Sequence, residues 1–365
     1  MIIDHPLIAM PDFSSSSSRP SVGRLRKVIW IVLCLLLTLA ITAAGAWTGF
    51  ALWFQLAAPT QIRIVAIVFL ALAMLAAVRA LWQRRWKPVI WFAVFFAGVL
   101  GWWSTFKPSH DRVWADDVAR LLHIDVDGSK VRLTNVRNFD WRSETDYTVR
   151  WENREYNLDH LVTADLVLSY WMGPAIAHTL VSFGFDDGRY LTFSVEIRKE
   201  KGESFSALGG FFRKFETVLV ASDERDIIRV RTNMRGEDVY FYRLQVEPAT
   251  LRKLFIGYAG EARKLEQAPE FYNTLTSNCT TIVFDLARAI NPQLPLDYRL
   301  LASGYLAEYA YDVGGLAPGV DYATLKARGR ITGRALAAGN DPRFSELIRV
   351  GIPGVAPAIL PIPAK

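Results

Sequence analysis

One stretch of the sequence predicts where a central helix begins: Asn273-Thr274-Leu275-Thr276-Ser277-Asn278-Cys279-Thr280-Thr281. Ser277 and Asn278 are residue types that cap helix N-termini, and the apolar positions after them share one helical face: Ile282, Val283, Leu286, Ala287 and Ile290. Asn291-Pro292 ends the predicted helix. Cys279 is therefore predicted in the first turn, where free N–H groups and the helix dipole favour a thiolate. Taken alone, Cys279 fits a small buried hydrophobic residue equally well.

A β-hairpin is predicted well before this helix. Its strands are 176–183 and 189–198, on either side of Asp186-Asp187-Gly188. A three-residue loop with a left-handed Gly188 pairs Phe185 with Arg189 and sets His178 opposite Glu196. A two-residue loop would shift the register by one and turn Glu196 to the other face. We favour the longer loop, because it groups His178 with these polar residues: Ser182, Thr192, Ser194 and Glu196.

A cysteine nucleophile needs a base within reach and a third group that orients the base. Of five histidines, His178 is the one predicted in mid-strand beside a row of polar residues. We predict Cys279 as nucleophile, His178 as base and Glu196 as the orienting group, with the Cys279 backbone N–H as an oxyanion donor. On its own, His178 fits a hydrogen-bonded core histidine better than a catalytic one.

The first third of the chain predicts a membrane anchor. The whole sequence is 51% hydrophobic, and three apolar runs are long enough to span a bilayer: Val28 to about Phe54, about Ile62 to Val78, and Pro88 to about Thr105. Basic residues cluster at 24–27 and 79–87, and such flanks stay cytoplasmic. The N-terminus is therefore predicted in the cytoplasm of a bacterium, and everything after Lys107 in the periplasm. The alternative, that one run is a buried core helix, stays open.

The charge distribution and the residue spacings exclude several kinds of site. The net charge is +6, but residues 1–110 carry +8 and the remainder −2, so no nucleic-acid partner is expected. The two cysteines do not suggest a disulfide framework, because Cys34 lies in an apolar run far from Cys279 in the sequence. His, Cys and acidic residues lack metal-ligand spacing, and Gly209-Gly210 lacks the Lys of a phosphate loop. No metal and no cofactor are expected.

The sequence divides into five segments. We predict a disordered cytoplasmic tail (1–23), a three-helix anchor (24–107), a linker with first elements (108–150), a periplasmic domain (151–350) and an irregular tail (351–365). Within the domain, further strands are predicted at 226–232 and 238–246 and a helix at 248–265, while 297–353 is mixed and Gly-rich. Arg231 and Arg235 fit an anionic head group or, more simply, a solvated strand edge.

The sequence resembles the Lnb N-terminal periplasmic domain family from about Trp151 to Ile348. The residues that carry the resemblance are Ile176–Phe185 with His178, Ser194–Arg198 with Glu196, Arg231-Thr232-Asn233 with Arg235, and Phe271–Thr281. The order of His and Cys is also similar to circularly permuted NlpC-type papain-like enzymes. The resemblance implies an α+β fold, with an antiparallel sheet packed on helices, and a thiol acyl-enzyme mechanism. It also implies substrate contacts by these residues: Asn278, Tyr272, Asn273, Arg231 and Arg235.

These observations predict a membrane-anchored periplasmic thiol acyltransferase or acyl hydrolase that forms an acyl-Cys279 intermediate. Members of the resembled family are implicated in lipoprotein N-acylation, and tethering at the bilayer favours a membrane lipid or lipoprotein substrate. Two alternatives stay open. One is a papain-like amidase or peptidase that acts on cell-wall peptides, and the other is an envelope binding or assembly module without catalysis.

Overall fold

Three apolar helices form the first unit of the chain. The computed structural model describes residues 22–355, so most of the predicted N-terminal tail and most of the predicted C-terminal tail lie outside the described residues. The helices are α1 (Val22–Gln55), α2 (Thr60–Trp82) and α3 (Trp86–Ser104). Each is long and apolar enough to cross a membrane, which agrees with the three predicted spans. Cys34 is fully buried among the apolar residues of this bundle.

The second unit, residues 106–365, is built on one sheet. Its strands are β1 (His123–Asp127), β2 (Lys130–Arg137), β5 (Trp151–Asn157), β6 (Leu161–Tyr170), β7 (Ala177–Phe185), β8 (Tyr190–Arg198), β9 (Glu216–Ser222) and β10 (Asp238–Arg243), while β3 (Asp140–Trp141) and β4 (Tyr147–Thr148) pair separately. The order is β1-β2-β9-β8-β7-β6-β10, with β5 on β2. All pairs are antiparallel except β2 and β9, which join at Arg137 and Ser222.

Helices and short turns cover both faces of the sheet. They are α4 (Ala207–Phe211), α5 (Glu224–Arg229), α6 (Pro248–Gln267), α7 (Cys279–Ile290), α8 (Leu306–Asp312), α9 (Tyr322–Gly329), α10 (Thr332–Ala338) and α11 (Phe344–Leu347). On one face, Phe255 and Tyr258 of α6 pack against Phe183 and Phe193 of the central hairpin. The α+β prediction is confirmed, and strands β1 and β2 show that the segment predicted as linker and first elements completes the same sheet.

The central hairpin has the predicted three-residue loop. The Phe185 N–H donates to the Arg189 carbonyl at 3.0 Å, and Gly188 takes a φ of +81°, a value that a side chain disfavours. The strands then pair Leu180 with Ser194 and Ser182 with Thr192. This register brings His178 to Glu196 on one face, as predicted.

The strand predicted at 226–232 is wrong. Residues 224–229 form α5, and a π-helical turn continues over Val230–Met234. Asp223 caps α5 by accepting the Arg225 N–H at 3.0 Å, a local bond that favours helix over strand. Arg231, predicted on a solvated edge, is consequently buried.

Candidate active site

Helix α7 begins at Cys279 because Asn278 caps it. The Asn278 Oδ1 accepts the N–H groups of Thr280 at 2.8 Å and Thr281 at 3.0 Å, and the Thr281 hydroxyl accepts the Asn278 N–H at 2.8 Å. This capping box satisfies donors that a helix start otherwise leaves open. It fixes Cys279 in the first turn, where the residue is 7% exposed and its thiol forms no disulfide.

His178 lies at the start of β7 with its imidazole held from one side. Its Nε2 is 2.7 Å from the Ser194 hydroxyl and 3.2 Å from the Glu196 carboxylate, and Ser194 in turn donates to Glu196 at 2.7 Å. With Nε2 engaged in this way, Nδ1 is the nitrogen left for the thiol, and His178 and Cys279 are close enough for each to shift the pKa of the other. The structure therefore brings together Cys279, His178 and Glu196 in the order predicted for a nucleophile, a base and an orienting group.

The charges of this group shift all three pKa values toward an ion pair. Burial opposes the charge on His178, but the Glu196 carboxylate and the Cys279 sulfur outweigh it and raise the pKa of His178 to about 9. Burial likewise opposes a thiolate, yet the imidazolium charge and its hydrogen bond lower the pKa of Cys279. The pKa of Glu196 lies well below its usual value, against its burial, because His178 and Arg231 are both close. Each shift is in the direction that favours a thiolate beside an imidazolium.

Arg231 holds Glu196 from the side away from His178. Its guanidinium donates to Glu196 at 2.8 Å and to Glu237 at 3.2 Å, and Ser169 donates to Glu237 as well. Arg231 is buried between the two carboxylates. The contact predicted between Arg231 and a substrate stays a prediction. The contacts described here show Arg231 holding Glu196 in position.

Two more groups reach the Cys279 sulfur. The Thr179 backbone N–H donates to it, which lowers the pKa of the thiol further, and the Thr179 and Thr280 hydroxyls lie 2.9 Å apart. Tyr272 lines the same cleft and lies close enough to Cys279 to interact with both its side chain and its backbone. Burial and the nearby Cys279 and Glu196 raise the pKa of Tyr272, so its hydroxyl stays protonated and able to donate.

These residues lie in a cleft of about 470 Å³. Its polar end contains the predicted Cys279, His178, Glu196, Asn278, Tyr272, Arg231 and Arg235, and the rest of its wall is largely apolar. Asn273 does not line the cleft. Its side chain instead accepts the N–H groups of Leu275 at 2.9 Å and Thr276 at 3.0 Å and closes the turn that leads to Ser277.

Asn278 lines the cleft, but its amide is occupied by the helix. The oxygen caps α7, as described, and the nitrogen donates to the Thr274 carbonyl at 2.8 Å. Ser194 was predicted on the polar face with His178 but was given no role in the site, and Glu237 was not predicted there. Ser194 precedes Glu196 by two positions on the same strand face, a spacing that could have identified it, whereas Glu237 follows an unpredicted π-helical turn. Among residues 22–355, no group of three or more His, Cys, Asp or Glu side chains could hold a metal ion.

Comparison with known proteins identifies one family model that matches the part of the chain containing this site. Residues 147–304 match the family model described as the Lnb N-terminal periplasmic domain, and this range contains His178, Glu196, Arg231 and Cys279. No curated protein and no solved structure matches the chain. Together with the three apolar helices, the match indicates a membrane-linked protein of the inner membrane with a periplasmic domain. The segment that contains these site residues, 147–304, thus carries the pattern of the Lnb N-terminal periplasmic domain family.

Proposed function

We propose that the protein is a periplasmic thiol acyltransferase or acyl hydrolase that works through an acyl-Cys279 intermediate. The observation that carries the proposal is the adjacent series Cys279, His178 and Glu196 at the end of an apolar cleft. A buried cysteine with a structural role needs no imidazole partner and no lowered pKa. Perturbed titratable groups in a cleft are typical of functional sites.

The first chemical step is attack by the Cys279 thiolate on an ester or amide carbonyl carbon. The C–S bond forms as the carbonyl π electrons move to oxygen. The Cys279 N–H and the Tyr272 hydroxyl, which lie close together, are placed to donate to that oxyanion. The bond to the leaving group then breaks, and the His178 imidazolium gives its proton to the departing oxygen or nitrogen.

The second step returns the enzyme to its starting state. An amine or water gives a proton to neutral His178 and attacks the thioester carbonyl. The tetrahedral intermediate collapses, and the thiolate leaves beside the re-formed imidazolium. Glu196, held by Arg231 and Ser194, stabilises that charge each time it appears and keeps Nδ1 directed at the sulfur.

The cleft favours a lipid or lipoprotein substrate over a cell-wall peptide. Beyond the polar end, its wall includes Trp171, Met172, Phe205 and Leu301, which suit an acyl chain better than a charged peptide. The domain also begins at Phe106, directly after the last membrane helix, so substrates in the bilayer are present at a high effective concentration.

The proposal is tested by trapping the intermediate. The full chain is reconstituted in phospholipid vesicles, and the peptide that contains Cys279 is analysed by mass spectrometry. We expect a mass gain equal to a fatty acyl group, removed by hydroxylamine, on Cys279 and not on Cys34. The His178→Ala chain, which keeps the thiol, should lose the adduct, because the imidazole that contributes most to lowering the pKa of Cys279 is then gone.

Other outcomes identify the alternatives. A peptide-derived adduct with cell-wall fragments, and none with lipid, would favour an amidase or peptidase. Absence of any adduct, together with Cys279→Ala and His178→Ala chains that retain full function in cells, contradicts both enzymatic interpretations and leaves a binding module.

A further inference from the structure

The mouth of the Cys279 cleft carries an unusual amount of exposed apolar surface. Four side chains that line the cleft are also open to solvent: Trp171 (43% exposed), Met172 (57%), Phe205 (51%) and Leu301 (56%). We call these four residues the rim. Scattered exposed apolar residues are normal on a protein surface, but several gathered around one opening mark a place that binds an apolar partner.

The rim is built by three separate loops. Trp171 and Met172 come from the β6–β7 loop, Phe205 from the segment between β8 and α4, and Leu301 from the segment between α7 and α8. The rings of Trp171 and Phe205 meet edge to face, 6.1 Å between centroids, so two of the loops touch through their apolar tips. Loops that converge in this way present one continuous apolar edge.

Two exposed leucines extend the rim on one side. Leu208 and Leu275 are 52% and 46% exposed, and each follows a residue of the hydrogen bond that joins the Thr274 hydroxyl to the Ala207 carbonyl at 2.8 Å. Leu208 belongs to α4 and Leu275 to the turn that precedes Cys279. The apolar edge therefore continues along the segment that positions the nucleophile.

The covalent chain limits how far this mouth can be from a bilayer. Asp117 lines the cleft, and Ser104 ends α3. A fully extended chain covers at most about 3.5 Å per residue, so the thirteen steps between them span no more than ~45 Å. A domain held within that distance of the lipid meets the bilayer surface continually, whereas a soluble partner must first diffuse to it.

We propose that the rim inserts into the surface of a lipid bilayer and places the mouth of the Cys279 cleft at the lipid–water boundary. The chemistry of the rim suits this partner, because tryptophan and large aliphatic side chains favour the interfacial region. The proposal concerns binding alone and holds whether or not Cys279 forms an acyl intermediate.

The test places an environment-sensitive fluorophore on the rim of the full chain. Cys34→Ser and Cys279→Ala remove the native thiols, and Met172→Cys supplies one labelling site. Leu336→Cys, on α10, is a matched control, since Leu336 is 56% exposed and does not line the cleft. The labelled chains are reconstituted in phosphatidylethanolamine–phosphatidylglycerol vesicles, with and without lipids brominated on the acyl chains.

We expect the label at 172 to emit at shorter wavelength and to be quenched severalfold more by the brominated lipids than the label at 336. A label on Leu301→Cys, from another loop, should behave as the one at 172. Equal and weak quenching at 172, 301 and 336 would overturn the proposal and point to a protein as the partner of the rim. Because these chains lack the Cys279 thiol, the outcome is separate from that of the acyl-trapping experiment.

Discussion

The sheet holds two buried networks of arginines and carboxylates that differ in what surrounds them. The cleft network consists of His178, Glu196, Arg231 and Glu237. The closed network consists of Asp165, Glu224, Arg243 and Arg349, where Arg349 joins Asp165 at 2.9 Å to Glu224 at 2.6 Å and Arg243 meets Asp165 at 2.6 Å. Each network pairs buried opposite charges. Of the two, only the cleft network lines the cleft that contains Cys279.

Buried charge alone therefore does not identify a functional site. In both networks neighbouring cations lower the pKa of a buried carboxyl group against its burial: Arg349 and Arg243 act on Asp165, and His178 and Arg231 act on Glu196. The cleft network adds a histidine whose pKa is about 9 and a thiol whose pKa is lowered. Groups that can exchange protons near neutral pH suit catalysis, whereas the closed network contains neither a histidine nor a cysteine.

Removing a charge from the closed network should mainly cost stability. Arg349→Ala leaves Asp165 and Glu224 buried without their shared cation, and breaking a buried pair in this way costs about 3–5 kcal/mol. For a domain of this size, we expect the Tm of the full chain in detergent to fall by roughly 6–20 °C. The pKa values of the cleft should not follow, because this network does not touch Cys279.

Arg343 provides the control for Arg349 on the same helix region. Its ion pair with Asp341 is long, at 3.6 Å, and its side chain is 48% exposed, so Arg343→Ala should change the unfolding free energy by less than about 1 kcal/mol. Equal effects of the two substitutions would contradict the distinction between the closed network and ordinary surface pairs.

Arg231→Lys tests whether Arg231 positions Glu196 in the cleft network. Lysine keeps the charge but cannot reach Glu196 and Glu237 with one planar group, so Glu196 shifts and His178 loses its orientation. We expect kcat to fall by about 10²-fold, as small displacements in active sites do, while KM stays near that of the parent chain. Arg225→Lys serves as the control, because Arg225 pairs with Asp223 outside the cleft.

The ratio of the two constants separates positioning from substrate binding. A rise in KM with unchanged kcat would show that Arg231 contacts the substrate in its ground state. That result would restore the role that the resemblance implies and contradict the role inferred from the contacts.

Local signals predicted the parts of the site that neighbouring residues determine. The Asp186-Asp187-Gly188 turn and the polar residues of the two strands together predicted the loop length, and with it the register that places His178 beside Glu196. Capping residues and the Asn291-Pro292 stop predicted α7 and the place of Cys279 at its start. In each case the decisive interactions lie within a few residues of one another along the chain.

Tertiary interactions decided what the sequence left open. Asp226 lies in a segment that alternates like a strand, yet it accepts hydrogen bonds from Arg137 and Trp141, far earlier in the chain, within helix α5. Arg349 comes from a Gly-rich region with no clear pattern and crosses the domain to reach Asp165. No local rule specifies such partners, since they depend on how distant strands pair.

The pH dependence of activity should report the cleft network. The active ion pair is lost as pH falls through the lowered pKa of Cys279 and as pH rises through the His178 pKa of about 9, so kcat/KM should be bell-shaped. Glu196→Gln removes the charge that raises the pKa of His178, and burial then lowers it. We expect the basic limb of the profile to move to lower pH.

Glu155→Gln is the matched control, because Glu155 is exposed and pairs only with Arg132 among the ion pairs described. It should leave both limbs in place. An unchanged basic limb in Glu196→Gln would mean that His178 does not titrate in the measured range as the geometry indicates. The limbs belong to the coupled Cys279–His178 pair rather than to either residue alone.

The smallest expected effect concerns the cap of α7. Asn278→Ala removes the acceptor for the Thr280 and Thr281 N–H groups, a loss of about 1 kcal/mol, which corresponds to a fall in Tm of roughly 2–4 °C. Asn278→Ser keeps a capping oxygen and should recover most of this loss, and with it the activity that depends on where Cys279 begins the helix. If serine restores Tm but leaves activity as low as alanine does, capping alone does not explain the effect, and the amide nitrogen, which serine lacks and which donates to the Thr274 carbonyl, is then the group that activity requires.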